Sequence, residues 1–148
     1  MIKKILGTVV LTILLSTSAY AESIKFPEYD LSKSQQYCKD AWTKRGTLDQ
    51  RMYNTCMDVE EIQYATALTI YNEFKSEPLM ADIFKLAFKK YNGGGKTSTL
   101  KYDLNIQKEG FLDIQYYIKE RNLNENEVNK CKDKWYPKLD MVAHCLKK

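Results

Sequence analysis

The sequence is poorest in the residues that enzymes most often use as bases and as close-set ligands. It has a single histidine among 23 basic and 19 acidic residues. Any Ser-His-Asp or Cys-His site would have to be built on His144, and no Gly-framed serine or free thiol accompanies it. His144 lies beside Cys145 near the end of the chain, where an imidazole reads as a helix-end cation or a surface group. Zinc sites bring their ligands in close pairs, a spacing these four cysteines lack, so no metal is expected. Gly95-Lys96-Thr97 looks superficially like a phosphate loop. Lys90 stands where that motif needs its first glycine, however, and the preceding segment reads as a helix instead of a strand, so no nucleotide or other cofactor is expected.

An excess of one charge is also missing. The formal net charge of +4 falls to +2 once Lys3 and Lys4 are removed with the leader described below (23 − 2 − 19). The remaining lysines are dispersed among carboxylates, without a basic stripe interleaved with aromatics, which argues against nucleic acid as a partner.

Lys3 and Lys4 precede the apolar run Ile5 to Leu15, and Ala19-Tyr20-Ala21 supplies the small-x-small pattern that a signal peptidase accepts. Residues 1–21 are therefore expected to be a cleaved signal peptide and 22–148 a single helical domain. The apolar run is shorter than the roughly 20 residues of a spanning helix, and no later stretch is long and uncharged enough, so no transmembrane anchor is expected. The chain is expected to be periplasmic or secreted, a setting in which four cysteines most simply form two disulfides.

What is present in strength is a cassette that occurs twice. The first copy runs from Cys38 through Trp42 to Met52 and Cys56; the second runs from Cys131 through Trp135 to Met141 and Cys145. Each is Cys-x3-Trp, a connector, then Met-x3-Cys. Residues four apart share a helix face, so each copy describes a helical hairpin with a cystine across it. Gly46 and Pro137 lie near the middle of the two copies, which brings the cysteines of each level. Four cysteines allow three pairings; local pairing, Cys38 with Cys56 and Cys131 with Cys145, repeats one geometry twice. Each closed loop should contribute on the order of 3 kcal/mol. Trp42, Met52, Trp135 and Met141 are expected to form the cassette core, with both indoles largely buried over their cystines.

Along the mature chain, 22–31 has no period and reads as an irregular arm. Ser32 with Gln35 and Thr47 with Gln50 have capping-box spacing and are expected to open the first two helices. Ser76-Glu77-Pro78 breaks the chain before a third helix at about 79–91, which Asn92-Gly93-Gly94-Gly95 stops, and Asn124 with Glu127 caps a fifth. Residues 100–119 fit two patterns. Alternation at Leu100, Tyr102, Leu104 and Ile106, and again at Leu112, Ile114, Tyr116 and Ile118, suits a β-hairpin turning at Lys108–Gly110. A helical wheel instead places most apolar residues on one side. Aligning Ala87-x3-Tyr91 with Cys-x3-Trp and Ile106-x3-Gly110 with Met-x3-Cys makes the middle of the chain a third cassette without cysteines, which favours a helix. The expected fold is all-α, three tandem helical hairpins with the first and third each closed by a disulfide; the alternative is α+β with a β-hairpin at 100–119.

The cassettes resemble a repeat found in small exported bacterial proteins, Cys-x3-Trp, a few residues, Asp, Met, then Cys. Cys131, Trp135, Asp140, Met141 and Cys145 match it well; Cys38, Trp42, Asp49, Met52 and Cys56 match with a longer connector. The resemblance implies an exported, disulfide-bonded helical fold and carries no established activity. Two functions follow as expectations. The first is a non-enzymatic interaction protein of the bacterial cell envelope, of the inhibitor, immunity or adaptor type, whose partner is another envelope protein. The second is a small periplasmic hydrolase acting on cell-wall glycan through paired carboxylates, Glu60 or Glu61 with Asp103.

Overall fold

Helix starts in this chain are set by acids and amides placed to accept from first-turn N–H groups. In the computed structural model, which describes residues 24–91 and 96–148, α1 (Leu31–Trp42) is capped by Asp30, whose carboxylate accepts from Lys33 N at 3.0 Å. The expected start at Ser32 is thus displaced by the ionised acceptor two residues earlier. Likewise α2 (Gln50–Phe74) is capped by Asp49, which accepts from Met52 N at 3.1 Å, in place of Thr47. Thr47 is used elsewhere: β1 (Thr43–Lys44) and β2 (Thr47–Leu48) form a two-residue antiparallel ribbon. Arg45 and Gly46 join them at φ 52° and 81°, the left-handed pair that a two-residue hairpin turn requires.

Pro78 opens α3 (Pro78–Tyr91), and α4 spans Thr97–Glu120. The whole of 100–119 is therefore helical, and the β-hairpin alternative is overturned. Asn124 and Glu127 form the expected reciprocal box at the start of α5 (Glu125–Trp135), and a turn containing the cis Tyr136–Pro137 bond leads to α6 (Leu139–Lys147). The signal-peptide reading of 1–21 and the glycine stop at 92–95 lie outside the described residues.

The helices pair as three successive hairpins, α1 with α2, α3 with α4 and α5 with α6. The second arms then pack side by side, with α4 between α2 and α6. Their seams hold Ala67, Ile70 and Phe74 of α2, Leu100, Leu104, Phe111 and Ile114 of α4, and Leu139, Val142 and Leu146 of α6, all buried. Gly110 is what lets α4 and α6 approach. A Cβ there would lie 2.6 Å from the carbonyl carbon of Leu139 and 2.8 Å from the Cα of Asp140, closer than side chains tolerate.

The arm before α1 is irregular, as its sequence suggests, yet it is part of the core. Phe26 is buried against the rings of Tyr64, Tyr71 and Phe88. The Tyr64 hydroxyl donates to the Pro27 carbonyl at 2.8 Å, and that of Tyr71 donates to the carbonyl of Ile24. Phenol groups on α2 thus satisfy backbone acceptors of a segment that has no ladder of its own.

Candidate functional site

Both local disulfides form, Cys38–Cys56 and Cys131–Cys145, each with a Cα–Cα separation of 5.7 Å, and among the described residues no cysteine is free. Cys38 and Cys131 are buried, and their partners on α2 and α6 are half-buried. Trp42 and Trp135 are both half-buried, as are Met52 and Met141. Trp135 still packs against the core and carries the Lys134 ammonium 5.2 Å from its ring centre.

The carboxylates proposed as a catalytic pair are held by different partners. Glu60, on α2, is 2% exposed. One of its oxygens accepts from Lys96 N at 3.0 Å, Thr97 N at 3.1 Å and Ser34 Oγ at 3.4 Å, while its own carbonyl accepts from Thr97 Oγ1 at 2.8 Å. The first turn of α4 has no side-chain cap of its own. Glu60 supplies it from another hairpin, and the charge sits where the helix dipole favours an anion. Glu61 is exposed, and Asp103 is joined to Lys90 at 2.6 Å. His144 is exposed on α6. Among the described residues no group of three or more His, Cys, Asp or Glu side chains is arranged to hold a metal.

Two phenols have strongly raised pKa values. Burial pushes Tyr91 up to about 12, with the negative charge of nearby Glu60 adding to it, and the Tyr91 hydroxyl is buried without a hydrogen-bond partner. Burial also pushes Tyr136 up to about 12, reinforced by its hydrogen bond to Asp82 at 2.9 Å.

The surface offers one further concentration of apolar groups. On α4, Leu100, Leu104, Phe111 and Ile114 form the buried stripe, and Tyr102, Leu112 and Tyr116 project from the opposite side with 63%, 41% and 57% of their surface exposed. Such large side chains on the helix that lies between two others are available for contact. The helical wheel of this stretch sets Leu112 and Tyr116 among its polar residues, away from Leu104, Phe111 and Ile114, whereas strand alternation groups them with Ile114 and Ile118. Glu60 was legible only as an acid, since the amides it caps lie 36 and 37 residues away. No family model, curated protein or solved structure matches the chain.

Proposed function

We propose that this chain is a non-enzymatic interaction protein of the bacterial cell envelope, exported and then fixed in shape by its two cystines, and that it contacts another envelope protein. The inhibitor, immunity and adaptor types share this requirement for a rigid presenting surface. The observation that carries the reading is the exposed side of α4. Tyr102, Leu112 and Tyr116 stand on a helix held by neighbours on either side, so their positions cost little further ordering on contact, and aromatic side chains are enriched in protein interfaces. Export is supported by the two disulfides, and no described helix is long and apolar enough to cross a membrane. The hydrolase alternative gains nothing from the geometry, because Glu60 is committed to capping α4 and Asp103 is paired with Lys90.

Photo-crosslinking tests the proposal. A benzophenone amino acid placed at Tyr116 or Leu112 in the exporting cell should give a discrete adduct with a second envelope protein, and the same group at exposed Asp58 on α2 should not. Absence of adducts at Tyr102, Leu112 and Tyr116 would sink this reading.

A further inference from the structure

From Lys39 to Val59 no residue is buried. This stretch takes in the last turn of α1, the β1–β2 ribbon and the first turns of α2, which buries nothing before Glu60. Its direction follows from two contacts between α2 and α4. Glu60 holds Thr97, and the ring of Phe74 meets that of Phe111 at 5.6 Å, equal steps along both helices (74 − 60 and 111 − 97), so the two run parallel and in step. Gln50 therefore lies about 15 Å beyond the level at which α4 starts. The first hairpin ends in a finger that reaches past the start of α4.

The finger is braced although it has no core. Cys38–Cys56 joins its base, Thr43 pairs with Leu48 across the ribbon, and Asp49 N donates to the Trp42 carbonyl at 3.0 Å. Its tip is cationic. Lys39, Lys44, Arg45 and Arg51 are exposed, and among the described residues none of them forms an ion pair. The acids of 39–51 are Asp40, which accepts from the Gln36 amide at 2.6 Å, and Asp49, which caps α2. Four cations and two anions leave the tip with two positive charges. Asp58 stands two turns further along α2 from Arg51, outside the tip. Arg45 holds φ at 52°, where Asn, Asp or Gly is the usual choice, so a long cation occupies the turn against local preference.

From this combination we infer that the finger docks its tip, Lys44 with Arg45, into an acidic cleft of a protein. Carboxylates in a cleft hold a guanidinium bidentately and fix its direction, which suits a tip already fixed by its ribbon. An anionic bilayer suits it less. Two net charges concentrate a chain only roughly 30-fold at such a surface. The tip also exposes no large apolar side chain to insert, since Trp42 and Leu48 are half-buried. This contact is separate from the one proposed for α4, because Tyr102 lies level with Ala65, about 22 Å along α2 from Gln50.

Crosslinking from the ribbon reads the contact. A benzophenone amino acid at exposed Thr47, which pairs with Lys44, should give one discrete protein adduct in the exporting cell, and the peptide it joins should carry clustered Asp and Glu. Lys44→Glu with Arg45→Glu should lower the yield roughly ten-fold. Whatever Tyr116 captures should stay the same, which keeps failure here distinct from failure of the α4 contact. Arg45→Asn suits the turn better, so it should lower the yield about three-fold while the melting temperature does not fall. Vesicles of mixed phosphatidylglycerol and phosphatidylethanolamine should not sediment the protein. No adduct from Thr47, an adduct indifferent to the charge reversal, a captured peptide without acids, or vesicle binding that the same reversal abolishes would each overturn the assignment.

Discussion

Replacing Glu60 by alanine removes the acceptor for two backbone N–H groups and a serine hydroxyl at once, and leaves the first turn of α4 uncapped in a buried setting. The expected cost is about 3 kcal/mol, read from the shift in a urea unfolding curve, and Glu60→Gln, which keeps an acceptor oxygen, should cost less. Tyr91 and Tyr136 set a different expectation. Their phenols titrate near 12 in the folded protein, against about 10 in an unfolded chain, so above pH 10 the unfolded state releases protons that the folded state retains. Stability from these two groups is therefore fully present below pH 10 and is lost as pH rises towards 12. Absorbance at the phenolate band should show late-ionising tyrosines, and Tyr91→Phe, which removes an unpartnered hydroxyl, should flatten part of the alkaline loss without lowering stability at neutral pH. None of this was legible in the sequence, where Glu60 is one acid among 19 and Tyr91 one tyrosine among 11. Their roles arise from neighbours far along the chain.

At the scale of elements, Gly110 separates two accounts of the same residue. If it were only a weak point in α4, alanine would stabilise the helix by about 1 kcal/mol. Because a Cβ would meet the backbone of Leu139 and Asp140, Gly110→Ala should instead destabilise by about 2 kcal/mol, the scale of overpacking, and thermal melts give the sign directly. The sequence made 100–119 readable as strand or helix, and only alignment with the two cysteine cassettes favoured the helix that forms. It placed the capping box at Asn124 and Glu127 correctly, because both partners lie within four residues. It displaced the starts of α1 and α2, because Asp30 and Asp49 compete with Ser32 and Thr47 and an ionised carboxylate is the stronger acceptor for first-turn amides.

For the molecule as a whole, the cystines stand where apolar packing is thin. The first arms α1 and α5 contribute Ser34 with Cys38, and Cys131 alone, to the buried set, whereas α3 contributes Met80, Ile83, Phe84, Ala87 and Tyr91. The middle hairpin lacks a disulfide and holds its first arm by side-chain burial instead. Replacing Cys38 and Cys56 together by serine should therefore loosen α1 in particular, with an overall loss of about 3 kcal/mol, and hydrogen exchange should show α1 amides opening while those of α4 stay protected. The corresponding change at Cys131 and Cys145 should act on α5. Glu60 also bears on how the polypeptide can be divided. Because α4 starts on acceptors supplied by α2, its placement is set by the opposite half of the molecule, whatever residues join it to α3. One polypeptide ending after Tyr91 and another starting at Lys96 would each carry one side of that lock, and the buried faces of α3 and α4 would draw them together. Separately made, the two pieces should reassemble into a nicked but complete protein, and the junction becomes a place where the chain can be opened, extended or given new ends without dislodging α4.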